Sequence, residues 1–125
     1  MNKTIHTFKA PQTIGPYSQA VEVNGMLFVS GQLGVDPETG KIVPGGIREQ
    51  TQQVLRNIEN ILMSAGYTRN EVVKTTVYLK NMDDFKEMNE VYASFYEEKH
   101  PARAAIEVVR LPMGALVEIE TIAVR

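Results

Sequence analysis

Val21-Glu22-Val23-Asn24-Gly25-Met26-Leu27-Phe28-Val29-Ser30 decides the fold class, because it reads as a β-hairpin. Asn-Gly between two apolar runs is the strongest short hairpin signal, since both residues tolerate the positive φ that a type I′ turn requires. A second turn follows at Asp36-Pro37-Glu38-Thr39-Gly40, where proline fixes φ early and glycine supplies the left-handed position late. Upstream, residues 3–7 suit a short edge strand. After Pro11, the turn-prone pair Gly15-Pro16 delivers Tyr17-Ser18-Gln19-Ala20.

Downstream of the hairpin the apolar period lengthens. Between residues 46 and 65, Ile47, Val54, Leu55, Ile58, Ile61, Leu62 and Ala65 fall at i, i+3, i+4 spacing, and Gly66 stands where a helix stops. Residues 72–79 are β-branched and aromatic and predict a strand. A second helix is expected over about 83–99, with Phe85, Met88, Val91, Tyr92, Phe95 and Tyr96 on one stripe. Asp83 and Asp84 favour the positive end of its dipole, and Pro101 enforces its end. Strands over 103–110 and 116–124 close the chain, joined by Leu111-Pro112-Met113-Gly114-Ala115. The class is α+β, one β-sheet with two α-helices packed on one face.

Composition limits the function classes. At 125 residues the chain suits a single domain, 1–125, and 43% hydrophobic with 22% charged residues is ordinary for a globular protein. The net charge is −2, with Lys and Arg scattered, so no basic face offers itself to nucleic acid. With no cysteine, disulfides, thiol catalysis and sulfur-ligated zinc are excluded. His6 and His100 lack metal-ligand spacing, so no metal site is expected. No stretch approaches a membrane span and the N-terminus lacks a signal-type apolar core, which leaves a cytoplasmic protein with no membrane partner as the expectation.

Strand alternation singles out the sheet's far face. In the last strand Val117, Ile119, Thr121 and Ala123 oppose Leu116, Glu118, Glu120, Ile122 and Val124. In the strand before it, Ala104, Ile106 and Val108 oppose Arg103, Ala105, Glu107 and Val109. The small and apolar sets suit the helix-covered side, which puts Arg103, Glu107, Glu118 and Glu120 together on the other. Apolar bulk among those charges predicts an oligomer whose sheets face each other. Arg103 follows a proline at the head of its strand, and its planar fork suits a carboxylate held at two points. A structural ion pair with a glutamate and a site for a small charged ligand are both open readings of it.

Gly15-Pro16-Tyr17-Ser18-Gln19-Ala20, Ser30-Gly31-Gln32, Asn89-Glu90-Val91-Tyr92, Pro101-Ala102-Arg103 and Val117-Glu118-Ile119-Glu120 occur in order along nearly the whole chain. Together they resemble the reactive-intermediate imine deaminases, the Rid or YjgF-like family. The resemblance implies a chorismate-mutase-like fold with a single mixed sheet, a homotrimer with clefts between subunits, and no metal or cofactor. It implies an enzyme that hydrolyses 2-imino acids such as 2-iminobutanoate and 2-iminopropanoate, or their enamine tautomers, to 2-keto acids and ammonia. Arg103 would hold the substrate carboxylate and Glu118 would position water and shuttle protons. Gly31 and Ala105 would contribute backbone groups, Tyr17 would wall the cleft from a neighbouring subunit, and Ser30 and Asn89 would shape or hydrogen-bond it. Glu120 shares a face with Glu118, and only the family pattern selects Glu118.

Many members carry Ser-Cys after the arginine where this chain has Ala104-Ala105, which is harmless if that position acts through its backbone. A plain hairpin of the last two strands would set Arg103 about 13 Å along the ladder from Glu118. The strands are therefore expected not to be simple partners, or the two residues to meet across subunits. The competing class is a non-catalytic trimer that binds small carboxylates and regulates a partner; Glu118 separates the two, since an anion site gains nothing from a neighbouring carboxylate. A ribonuclease reading fits poorly with an acidic chain that has no histidine pair.

Overall fold

In the computed structural model, which describes residues 2–125, the chain builds a six-stranded mixed sheet. β1 (Lys3–Ile5) pairs with β2 (Ala20–Val23), and β2 turns through Asn24 (φ 50°) and Gly25 (φ 75°) into β3 (Met26–Leu33), as the Asn-Gly signal predicts. β4 (Val35–Asp36) and β5 (Lys41–Ile42) form a separate ribbon around the second turn. α1 (Ile47–Ser64) follows, and Glu49 reaches back to accept from the Gly46 N–H at 2.8 Å, satisfying a donor at the helix start. Beyond come β6 (Val72–Leu79), α2 (Phe85–Phe95), β7 (Ala102–Glu107) and β8 (Val117–Val124).

The spatial order is β1-β2-β3-β8-β6-β7, antiparallel throughout except for the parallel pair β6–β7. Topology explains the exception. Each helix is a crossover, α1 from β3 to β6 and α2 from β6 to β7, and a strand that returns after a crossover runs parallel to its predecessor. β8 then inserts antiparallel between β3 and β6.

Both helices cover one face. Leu27, Val29, Val77, Leu79, Val117 and Ile119 of the sheet pack with Val54, Ile58, Ile61 and Leu62 of α1 and Met88 and Tyr92 of α2, all nearly or fully buried. The opposite face has no cover in the chain. Phe28, Ile106 and Val124 lie there 40%, 46% and 39% exposed, beside the half-buried Val21, Val23, Met26, Leu33 and Ile122. Among the described residues, no helix is long and apolar enough to cross a membrane.

Three expectations change. α2 ends at Phe95 rather than near Lys99, because Tyr96 leaves the helical region (φ −103°, ψ 59°) and the polar Glu97-Glu98-Lys99 beyond it has nothing to bury. β7 ends at Glu107 rather than near Arg110, while β6 lies between it and β8, in line with the expectation that the last two strands are not simple partners. The faces of β7 are exchanged: Arg103, Ala105 and Glu107 pair with the buried Thr75, Val77 and Leu79 and share the helix side, leaving Ala104 and Ile106 on the bare side.

Candidate active site

β3 is not regular to its end. Val29 pairs with Thr121 but Gln32 with Ile119, so Ser30 and Gly31 occupy a bulge where the partner strand has one residue. The bulge is tied to the segment before β2. Ser30 donates through its N–H to the Gln19 carbonyl at 2.9 Å and through Oγ to the Ser18 carbonyl at 2.6 Å. Buried Gln19 in turn donates to the Thr7 and Pro11 carbonyls at 3.0 and 2.8 Å and accepts from the Thr7 N–H. Two motifs far apart in sequence, around Tyr17 and around Gly31, thus become one wall. They enclose a cleft of about 660 Å3 with Glu118, Pro112 and Met113. Tyr17 lines this cleft together with Glu118 of its own chain.

Gly31 lets Glu118 in. A β-carbon at position 31 would run into the Glu118 carboxylate, with the carboxyl carbon 2.8 Å away, so only glycine permits this approach. Glu118 points to the bare face, half-buried, and accepts no hydrogen bond among the described residues. Burial, and then the charge of Glu120, push its pKa above the ordinary glutamate value. Glu120 stands on the same face in a different state. It is exposed and accepts the Tyr78 hydroxyl at 2.6 Å, a bond that leads the causes pushing the Tyr78 phenol up to about 12. Geometry therefore separates two carboxylates that alternation alone leaves equivalent.

The arginine site lies elsewhere. Phe85, Asn89 and Tyr92 fall at i, i+4, i+7 on one face of α2 and meet Arg103 at the sheet edge. Arg103 Nη1 donates to Asn89 Oδ1 at 2.8 Å, and its guanidinium lies 4.7 Å from the Tyr92 ring centre and 5.5 Å from that of Phe85. Tyr92 is fixed by a 2.8 Å hydrogen bond between its hydroxyl and that of Thr75. Arg103 remains exposed, and Ala105 sits two residues along the same edge strand. Asn89 thus touches Arg103, and neither it nor Ala105 lines the Glu118 cleft.

Within one chain, Arg103 and Glu118 are kept apart. Arg103 aligns through Thr75 with Thr121, and Ile106 aligns through Tyr78 with Glu118. Two strand spacings across and three residues along give about 14 Å between the α-carbons. The side chains also leave opposite faces of the sheet. Tyr17, Ser30, Gly31 and Glu118 gather at one end, Asn89, Arg103 and Ala105 at the other.

Some participants escape sequence reading. Phe85 and Tyr92 read as core stripe, although their helical spacing from Asn89 was available as a signal. Met113 reads only as part of a connection, yet it lines the cleft in a left-handed conformation (φ 61°, ψ 19°) that costs such a residue about 1–2 kcal/mol.

A family model described as Endoribonuclease L-PSP matches residues 7–125. A RutC family protein of Pyrococcus horikoshii is 56% identical over 98% of this chain and 98% of its own length. The 2-iminobutanoate/2-iminopropanoate deaminase of Mus musculus is 51% identical over all of this chain and 93% of its own. Among solved structures, that of Escherichia coli TdcF with bound serine superposes with a TM-score of 0.95 at 41% identity, covering 98% of each chain. The chain belongs to this family, the Rid or YjgF-like proteins.

Proposed function

We propose that this protein is a hydrolytic deaminase of 2-imino and enamine acids. It works as a homotrimer in which each site joins the Glu118 cleft of one protomer to the Arg103 edge of the next. The observation that carries the reading is the state of Glu118: a half-buried carboxylate with a raised pKa and no hydrogen bond, held against Gly31 at the mouth of a cleft. A carboxylate kept that way is a stronger base than an ordinary glutamate, as a proton acceptor in a cleft should be. The separation of Arg103 from Glu118 requires a second protomer, and the uncovered apolar face around Phe28, Ile106 and Val124 supplies a surface for one. The relationship to the murine deaminase supports the chemistry.

In this scheme Arg103 takes the substrate carboxylate through parallel N–H···O bonds, with Asn89 and Tyr92 holding the guanidinium in place. Ala105 contributes only backbone, which an edge strand leaves free on one side, so the absence of a cysteine there is without consequence. Water rests on Glu118 opposite the iminium carbon. Its oxygen bonds to that carbon as Glu118 takes a proton and the C=N π pair moves to nitrogen. Glu118 then returns the proton to nitrogen, the C–N bond breaks as ammonia leaves, and the hydroxyl passes its proton through Glu118 to that ammonia as the carbonyl forms. Iminium and water become 2-keto acid and ammonium. The iminium carbon is already electrophilic, so placing water and anion together supplies much of the rate. Tyr17 and the bulge at Ser30 shape the wall. No metal or cofactor enters the scheme.

The test couples a threonine dehydratase to the protein and follows 2-ketobutyrate at early times. Added protein is expected to speed imine disappearance, and Arg103→Ala to abolish the gain. A correctly assembled protein that gives no acceleration would contradict the deaminase reading and favour a carboxylate-binding role.

A further inference from the structure

Two turns of one type occur in this chain. Val23-Asn24-Gly25-Met26 and Pro112-Met113-Gly114-Ala115 each carry positive φ at both central positions, 50° and 75° in the first, 61° and 66° in the second. That is the mark of a type I′ turn. The Ala115 N–H closes the second by donating to the Pro112 carbonyl at 3.1 Å. Asparagine adopts the left-handed conformation readily and methionine does so under strain. The strained residue, Met113, is one that lines the Glu118 cleft, and it is 51% exposed. Strain retained at a cleft, where an easier residue would make the same turn, points to work done by the side chain.

The rest of the lining says what that work is. Gln19 and Ser30 have their polar groups engaged by the backbone, and the Gln32 amide nitrogen donates to the Ser30 carbonyl. Ile14, Leu33, Val35, Pro37 and Pro112 supply apolar surface. Glu118, Thr13, Gln12, Gln32 and the Tyr17 hydroxyl aside, a ligand reaching past the reacting carbon meets hydrocarbon and the Met113 thioether.

We propose that Met113 is a specificity-determining residue, its side chain held over the cleft by the type I′ turn so that it packs on the substrate's side chain and selects 2-imino acids with an extended apolar chain of three or more carbons. The inference rests on the deaminase reading for the imine group, while the apolar preference stands on the cleft itself. An unbranched, polarisable side chain moulds itself to a flexible hydrocarbon.

The test measures binding of two stable keto acids, 2-oxobutanoate and 4-methyl-2-oxopentanoate, by calorimetry on wild type, Met113→Asn and Met113→Leu. The wild type is expected to prefer the longer acid. Met113→Asn should weaken the longer acid about tenfold and the shorter less than about twofold. Met113→Leu should keep the preference. Met113→Asn should also melt higher, by about 3 °C, because asparagine relieves the turn. Equal losses for both acids, no loss, or a lowered melting temperature would overturn the proposal. Rates on the matching imines keep the two readings apart. Selective binding without imine hydrolysis would remove the deaminase reading alone, and hydrolysis with no length preference would remove this one alone.

Discussion

Arg103 arrives with its supports in place, whereas Glu118 is held by packing and left without a partner. Asn89 fixes one guanidinium nitrogen, and Tyr92, itself fixed by Thr75, backs the plane. Glu118 has only the absent β-carbon of Gly31 to make room for it. The difference follows from what each group must do. A flexible side chain that anchors an anion binds better when its rotamer entropy is lost before the ligand comes. A proton acceptor needs the opposite, because hydrogen bonds to a carboxylate lower its pKa and weaken it as a base. Under the proposed scheme, one half-site is built for holding, the other for proton transfer.

Removing the base should have the largest effect. Glu118→Gln is expected to lower kcat by about 10²–10⁴-fold. Because burial and Glu120 raise the Glu118 pKa, the acid limb of the wild-type pH–kcat/KM profile should lie above the ordinary glutamate range. The same shift has a stability consequence. A raised folded pKa means that the native state binds the proton more tightly than the unfolded chain. The stability it gives is present below the unfolded pKa and is lost as pH rises through the folded one. Glu118→Gln should therefore melt above wild type at pH 7, the gap closing as pH falls toward 4. An inactive variant that melts lower at pH 7 would break the contrast between the half-sites.

Gly31→Ala comes next. Its β-carbon displaces the carboxylate, so kcat should fall by up to about 10²-fold, with the Glu118 acid limb shifted as the group moves toward water. Unchanged kinetics would mean that the approach of Glu118 to the bulge is incidental. Arg103→Lys keeps the charge and loses the fork, and kcat/KM should drop between about 10- and 100-fold, mostly through KM. Asn89→Ala removes only a support, with an expected rise in KM of about 3- to 10-fold and little change in kcat. A loss in kcat equal to that of Glu118→Gln would put Asn89 in the chemistry instead.

The same contrast explains what the amino-acid sequence reveals. The α1 stripe and the Asn24-Gly25 hairpin are legible because local spacing and φ preference dictate them. The faces of β7 are not. Ala104 and Ile106 look like core, but an alternating apolar set marks a buried face without saying whether a helix or another copy buries it. Arg103 stands out in the sequence as a candidate anion anchor from its place after Pro101. Its distance from Glu118 was not, because insertion of β6 between β7 and β8 is a property of topology that no local pattern carries. Strand alternation leaves Glu118 and Glu120 equivalent; the family pattern selects Glu118, and the structure separates them physically because Tyr78 engages Glu120 and leaves Glu118 free of it.

Subunit complementation tests most directly whether the two half-sites of different protomers make one site. Arg103→Ala and Glu118→Gln proteins, each inactive alone, are unfolded together, refolded as a 1:1 mixture and assayed for imine hydrolysis. If each site takes its arginine from one protomer and its glutamate from the next, random assembly should restore about a quarter of wild-type activity. Mixed assemblies that form yet stay as inactive as either parent would contradict a shared site.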